Sequence, residues 1–232
     1  MPVVLIESTR SARTPLPVLA RQKNDQGIFS QPSLAPPFPS IDPLSTGTVK
    51  PGDTLTISGS HLDGASVLVR FTSSRLPAPR DVPVAAGATD KQVAVVVPND
   101  PKFPAGTYTV MVVIDPSGEI RTTNEAPMQV LPNIMTPLPL TLPRGTGLVS
   151  VVLACSPDIA PDQHVSLLLG SREIPADPQG ANAGEVSFTI PDALPGDYLV
   201  RLRVDGADSN LLVDRTAALP AFDQNQKVII TP

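Results

Sequence analysis

The chain has 232 residues, of which 41% are hydrophobic but only 3% aromatic, and its formal net charge is -5. This length exceeds a typical single domain and provides enough aliphatic residues for two domain cores. The acidic balance and the absence of a Lys/Arg cluster argue against nucleic-acid binding, and the scarcity of aromatic residues argues against stacking on sugars or bases.

The first forty residues are predicted to form one strand followed by an extended, proline-rich arm. The segment "PVVLIEST" (2–9) is short and β-branched, as expected of a strand. Residues 13–40 show no sustained period, and their prolines favour extended backbone. Because the arm is too apolar for a fully disordered linker, we expect it to interact with a surface through Ile28, Phe29, Leu34 and Phe38.

Residues 41–132 are predicted to form a first β-sandwich. Strand signals follow one another as "DTLTISGSHL", "SVLVRF", "QVAVVVP", "GTYTVMVVI" and "TNEAPMQVLP". Gly, Pro and Asp turns such as "KPGD" and "DPSGEIR" separate these segments, and helical periodicity is absent. Several short strands joined by such turns are typical of a sandwich.

Residues 133–232 are predicted to repeat this plan. The strand signals are "LVSVVLACS", "HVSLLLGSREIPA", "EVSFTIP", "DYLVRLRVDG", "NLLVDR" and "QKVIITP". In "DYLVRLRVDG" the apolar residues alternate with Arg201 and Arg203, so we expect these two arginines to face solvent. The segment "VDGADS" predicts a tight hairpin turn.

A repeated phrase supports two sister domains. The segment "FPAGTYTVMVVI" (103–114) is matched by "LPGDYLVRLRV" (194–204), with Gly106 equivalent to Gly196 and Tyr108 equivalent to Tyr198. A repeat of domain size indicates tandem copies of one domain rather than a solenoid. The glycine allows a positive φ, and the tyrosine hydroxyl is expected to bind backbone at the corner, as in Greek-key sandwiches. We therefore expect the phrase to serve the fold rather than a reaction.

The sequence shows no recognisable catalytic or metal-binding motif. His61 and His164 lie in different predicted domains and are expected at the surface. The loops "IPDALPGD" and "VPNDPKFPAG" could hold calcium, but turn formation is the favoured interpretation of their acidic residues. The one cysteine, Cys155, lies in an apolar run and is predicted to be a buried, inert thiol. We expect no catalytic residue, no cofactor and no metal.

Neither a secretion signal nor a membrane span is recognisable. The N-terminus "MPVVLIESTRSAR" begins apolar and lacks the basic region that opens a secretory signal. No run of 18 apolar residues occurs. We therefore expect the chain to be made in a cytosol and to have no membrane partner.

One segment of the first predicted domain resembles a known domain type. The stretch "IDPLSTGTVKPGDTLTISGSHLDGASVLVRF" (41–71) is similar to the opening of the immunoglobulin-like (IPT/TIG) domains shared by plexins and transcription factors. The resemblance implies an immunoglobulin-like fold and specifies no function.

A broader resemblance extends over almost the whole chain. The chain resembles the C-terminal half of the cap, or tube-terminator, proteins of phage-tail-like contractile injection systems in the segments "VVLIESTRSARTPLPVLARQ", "QPSLAPPFPSI", "NDPKFPAGTYTV", "SLLLGSREIPA" and "LVRLRVDGADSNLLVDR". Members of that family carry an N-terminal globular α/β domain, and this sequence begins at the strand expected to follow it. The resemblance implies a sixfold ring that ends the inner tube and contacts the sheath, in a particle that is assembled in the cytoplasm and can be released from the cell.

Two hypotheses of different kinds follow. The first is a non-catalytic structural and interaction module of such a cap, with tube protein, sheath protein and other copies of itself as partners. The second is a ligand-binding or adhesion module that displays immunoglobulin-like loops to a carbohydrate or a cell surface.

Overall fold

A computed structural model describes residues 38–115, 118–210, 212–214 and 221–232. Within these residues the protein is all β, with twenty strands and no helix, and thus contains no helix that could cross a membrane. The strand predicted at 2–9 and most of the arm lie outside the described residues.

The first sandwich contains nine strands. They are β1 (Ser40–Ile41), β2 (Thr48–Val49), β3 (Thr54–Ser60), β4 (Ser66–Thr72), β5 (Arg80–Pro83), β6 (Gln92–Val96), β7 (Gly106–Asp115), β8 (Arg121–Thr122) and β9 (Ala126–Val130). One sheet has the order β1-β3-β6, and the other has the order β2-β9-β7-β4-β5 with β8 beside β7. The β2–β9 pair is parallel, whereas the remaining pairs are antiparallel.

The second sandwich repeats this arrangement and adds one hairpin. Its strands are β10 (Asn133–Ile134), β11 (Leu140–Pro143), β12 (Val149–Ile159), β13 (Val165–Leu169), β14 (Arg172–Pro175), β15 (Ala183–Ile190), β16 (Gly196–Val204), β17 (Ala207–Asp208), β18 (Leu212–Asp214), β19 (Ala221–Phe222) and β20 (Lys227–Thr231). The sheet orders are β10-β12-β15 and β11-β20-β16-β13-β14, with β17 beside β16. The additional hairpin, β18–β19, lies between β17 and β20.

The strand pairing identifies both sandwiches as immunoglobulin-like. In each sandwich the first strand is split, because β1 and β10 pair in the small sheet, whereas β2 and β11 run parallel to the last strand of the large sheet. The chain then crosses from the small to the large sheet at the β6–β7 and β15–β16 connections. The predicted fold class, all-β with two tandem immunoglobulin-like sandwiches, is confirmed.

Each sandwich encloses its own aliphatic core. Inward residues alternate with outward ones, as in β3, where Leu55 and Ile57 are fully buried between exposed threonine and serine. The first core includes Phe71, Phe103 and Tyr108, whose rings are in contact. The second core is formed mainly by Val, Leu and Ile from β12, β13, β15, β16 and β20.

The structure differs from the sequence prediction at the segment "HVSLLLGSREIPA". The segment was quoted as one strand signal, and it forms the two strands of the β13–β14 hairpin. The chain reverses at Gly170, which has a φ of +58°. Gly170 and Ser171 form a two-residue hairpin turn. The apolar residues on both sides of this turn made the segment resemble one continuous strand. The turn predicted at "VDGADS" is present, because Val204 pairs with Ala207 around Asp205 and Gly206.

Candidate functional site

The four predicted corner residues lie at the start of β7 in the first sandwich and of β16 in the second, where the chain enters the large sheet. The Tyr108 hydroxyl donates to the Pro104 carbonyl over 2.7 Å, and the Tyr198 hydroxyl donates to the Leu194 carbonyl over 3.0 Å. Tyr108 is 1% exposed, and burial raises its pKa well above the ordinary value.

The two corner glycines have the backbone conformation that their position requires. Gly106 and Gly196 have φ values of +140° and +155°, which L side chains rarely adopt. A β-carbon on Gly106 would meet only Asp205, at 3.9 Å. Backbone conformation rather than crowding therefore favours glycine at this position.

The predicted arm residues are placed only in part. Phe38 is described and is 84% exposed. Ile28, Phe29 and Leu34 lie outside the described residues.

The titratable residues considered from the sequence do not form a reactive group. His61 lies 3.2 Å from Asp90 in the first sandwich, whereas the His164 side chain is 96% exposed in the second. Cys155 is buried in β12 as predicted, and burial, with smaller contributions from Asp158 and Glu185, raises its pKa to about 11. Among the described residues no group of three or more His, Cys, Asp or Glu side chains could hold a metal ion.

Arg75 connects the two sandwiches. It lies in the loop between β4 and β5, where the second sandwich has only the tight turn between β13 and β14. Its Nε lies 2.9 Å from Oδ2 of Asp205, and its Nη1 contacts the Asp162 carboxylate. The longer loop of the first sandwich therefore provides a cation that reaches two acidic residues of the second.

Asp205 accepts hydrogen bonds from both sandwiches. The residue lies in the β16–β17 turn with a φ of +46°, a conformation that Asp tolerates better than most residues. Its carboxylate accepts from the His164 backbone N–H over 3.0 Å and from Gln163 Nε2 over 3.0 Å. The turn thus directs a mostly buried carboxylate towards Arg75.

Gln163 provides a second connection. Its Nε2 also donates to the Ala105 carbonyl over 3.0 Å, and Ala105 packs within the core of the second sandwich although it belongs to the first. Ser156 Oγ and Asn99 Oδ1 approach to 3.4 Å. Residues Phe38–Pro232 form one compact unit. We refer to Arg75, Asp162, Gln163 and Asp205 as the junction.

The charge state of Asp205 is set by the junction. Burial alone would raise its pKa, but the hydrogen bonds from Gln163 and the His164 N–H, together with Arg75, lower it below the ordinary value. The carboxylate is therefore ionised near neutral pH.

Sequence reasoning missed a pair of buried hydroxyl groups. Thr123 Oγ1 accepts from the Val112 N–H over 3.0 Å, and Ser209 Oγ accepts from the Leu202 N–H over 2.9 Å. Both residues are buried. Thr123 follows β8, and Ser209 follows β17. The sequence does contain a signal for this pair, because Thr123 and Ser209 are each followed by an asparagine.

A cleft of about 770 Å³ lies between the two sandwiches. The first sandwich lines the cleft with Thr48 of β2, Gln129 of β9 and Leu131, which follows β9. The second sandwich contributes Leu168, Gly170, Leu199, Arg201, Arg203, Gly206, Asp208, Ser209, Asn210 and Phe222. Leu168 lies between Leu167 and Leu169, which face the core, so it points outward from the sheet. It is nevertheless only 8% exposed. Phe222, on the additional hairpin, is 51% exposed.

The two arginines predicted to face solvent are paired in the cleft. Arg201 Nη1 lies 2.9 Å from Asp208 Oδ2, and Arg203 Nε lies 2.6 Å from Asp208 Oδ1. Arg203 also lies 3.3 Å from Glu173. Asp208 raises the pKa of Arg203 above the ordinary value. The four charges of this network cancel, so the cleft combines apolar side chains with a neutral set of ion pairs.

The fold and the junction define a class of protein: a tandem immunoglobulin-like module with two sandwiches joined by polar contacts. A family model described as "Domain of unknown function (DUF8756)" matches residues 132–229, the region of the second sandwich. No curated protein matches the sequence.

Several solved structures are similar. A titin I-band fragment is 14% identical with a TM-score of 0.30, covering 83% of this chain and 63% of that one. A chimeric titin tandem is 15% identical with a TM-score of 0.26, covering 83% and 98%. A protein of unknown function from Bacteroides thetaiotaomicron is 13% identical with a TM-score of 0.35, covering 73% and 46%. The chain thus spans less than two thirds of the first and third of these structures. Likeness at this level carries no functional information.

Proposed function

We propose that the chain is a non-catalytic structural and interaction module in the cap of a phage-tail-like contractile injection system, where it assists assembly at the end of the tube and sheath. Its partners are the tube and sheath proteins and other copies of itself, in a ring of six. Assembly takes place in the cytoplasm, and the particle can then leave the cell.

The junction is the observation that carries the interaction role. A module that joins large partners needs fixed geometry, since a freely moving pair of domains loses more entropy on binding. Arg75 and Gln163 contact the opposite sandwich through hydrogen bonds or ion pairs of 2.9–3.0 Å. The cap assignment itself is supported by the five sequence segments that resemble the cap family.

Co-sedimentation with tube and sheath particles that lack their native cap tests this function. We expect saturable binding of the purified chain, and we expect Arg75→Ala to weaken it. Arg70→Ala is the matched control, because it removes an ion pair with Asp81 inside the first sandwich. Absence of binding by the wild-type chain, under conditions where a full-length cap protein binds, would overturn the proposal.

The cleft is the one observation that favours the adhesion alternative. Its volume of about 770 Å³ lies in the range of small-ligand sites. Sugar sites rely on aromatic platforms, and Phe222 is the one aromatic residue among the described lining residues. Dose-dependent binding on a glycan array, together with no binding to particles, would favour adhesion over the cap.

A further inference from the structure

The corners of the two sandwiches differ in what covers them. In the first sandwich the corner residues Pro104, Ala105 and Gly106 are buried, and Ala105 packs within the core of the second sandwich. At the equivalent positions of the second sandwich Leu194 is 62% exposed, and Pro195 is exposed as well. The molecule therefore contains the same corner twice, once covered by an immunoglobulin-like domain and once open.

The open corner lies at the end of the second sandwich that carries the β13–β14 turn, which we call the corner end. Leu148 lies at this end too, because the Ala193 N–H donates to the carbonyl of its neighbour Gly147 over 3.0 Å, and it is 60% exposed. Arg172 opens β14 directly after the turn, and its Nη2 donates to the Pro191 carbonyl over 3.0 Å. Among the described residues no carboxylate forms an ion pair with this arginine.

The first sandwich has an end of the opposite charge, at the β3–β4 and β7–β8 connections, which we call the acidic end. Asp63 lies in the first of these connections and is exposed. Asp115 ends β7 at the position equivalent to Asp205, and its Oδ1 accepts from the Gly118 N–H. No cation of the described residues forms an ion pair with either carboxylate. Ile120, in the second connection, is 72% exposed.

The junction shows how two such ends fit together. There the first sandwich provides a corner and Arg75, from the loop after β4, and the second provides Asp162 and Asp205, from the connections after β12 and β16. The corner end repeats the corner and an arginine, and the acidic end repeats two carboxylates in the corresponding connections. Each of the two ends also exposes a large apolar side chain. The two ends are thus complementary in charge and in apolar surface.

The corner end and the acidic end of one chain lie on opposite sides of the sandwich pair, because the junction is formed by the two other ends. We propose that the corner end of one copy docks on the acidic end of a second copy, in the manner of the junction. The contact is heterologous, because the two ends are different surfaces, and such contacts build rings or open chains. This inference goes beyond the cap assignment, since it concerns only how copies of this chain join.

Sedimentation velocity of the full chain, from micromolar to millimolar concentrations, tests the contact. We expect the wild type to self-associate, and we expect Leu194→Ser at the corner end and Ile120→Ser at the acidic end each to weaken association by about tenfold or more. Val96→Thr and Met135→Ser are matched controls, because both residues are exposed, by 52% and 56%, and lie at neither end. The controls should associate as the wild type does.

Two charge variants show whether the two ends meet each other. Arg172→Asp places a negative charge at the corner end, and Asp63→Arg places a positive charge at the acidic end, so each variant alone should associate about tenfold more weakly or less. In an equimolar mixture the two altered ends carry opposite charges, as do the two unaltered ends, so association should return.

Three results would each overturn the proposal. They are a wild-type chain that is monomeric at every concentration, a mixture of the charge variants that associates no better than either variant alone, and a loss of association in only one of the two apolar variants. The last result would indicate a symmetric contact between identical ends. Binding to capless particles is a separate measurement, and its failure would leave this result unchanged.

Discussion

Arg75 and Asp205 face each other across the two sandwiches, with Nε and Oδ2 2.9 Å apart. The arginine is available because the β4–β5 loop is long, and the aspartate is available because the β16–β17 turn directs it out of the second sandwich. The second sandwich has no counterpart of Arg75, because its β13–β14 turn is short. The first sandwich does have a counterpart of Asp205: Asp115 lies seven residues after the corner tyrosine, but its Oδ1 accepts from the Gly118 N–H. The long β4–β5 loop, which carries Arg75, is therefore the feature that distinguishes the first sandwich at this contact.

Removing the junction should loosen the pair of sandwiches without unfolding either. We expect Asp205→Asn and Arg75→Ala to increase the radius of gyration measured by small-angle X-ray scattering, because the chain between the sandwiches is then less restrained. Asparagine is suited to the positive φ of residue 205, so the turn itself should persist. Arg70→Ala should leave the scattering curve unchanged. Identical curves for the wild type and both junction variants would show that the junction does not hold the two sandwiches together.

Acid should weaken the junction in a defined pH range. The pKa of Asp205 is lower in the folded protein than in the unfolded chain, so its contribution is complete above the unfolded value, near 3.8, and is lost as pH falls through the folded value. We expect the difference in unfolding free energy between wild type and Asp205→Asn to shrink as pH is lowered through this range. Denaturant titrations from pH 6 downwards measure this difference. A difference that stays constant with pH would contradict the stabilising role of the ionised Asp205 carboxylate.

The two corner tyrosines should differ in their importance for stability. Tyr108→Phe leaves the buried Pro104 carbonyl without a donor, which costs about 1–3 kcal/mol. Tyr198→Phe frees the Leu194 carbonyl, whose residue is 62% exposed, so water can replace the hydroxyl and the cost should be about 1 kcal/mol or less. Urea denaturation of both variants tests the order. Equal losses would show that burial does not set the cost.

The buried hydroxyl of Thr123 should matter more than its exposed neighbour. Thr123→Val removes the acceptor of the Val112 N–H and should cost about 1–3 kcal/mol. Thr122→Val changes an exposed side chain on β8 and should alter stability by no more than about 0.5 kcal/mol. Ser209→Ala should behave like Thr123→Val, because Leu202 loses its acceptor. A neutral Thr123→Val would contradict this role of the hydroxyl.

Cys155 should resist alkylation in the folded protein. With a pKa of about 11, only about one thiol in a thousand is ionised at pH 8, and the side chain is also 95% buried. We expect little modification by iodoacetamide under native conditions and complete modification in guanidinium chloride, measured by mass spectrometry. Rapid native alkylation would contradict the burial of this residue.

The fold was readable from the sequence because its signals are local. Alternation in "DYLVRLRVDG" and the repeated Gly and Tyr depend on residues close in the chain. The "GS" turn was missed because apolar residues on both sides concealed it. The junction and the cleft could not be predicted, because Arg75 meets Asp205 across 130 positions, and a single sequence does not reveal which surface residues of two domains meet.

Imaging of capless particles incubated with this chain tests the cap role most directly. We expect electron cryomicroscopy to show density for two connected sandwiches at one end of the particle, in a sixfold arrangement. Particles with bare ends, or with density scattered along the sheath, while a full-length cap protein occupies the same end, would contradict the account.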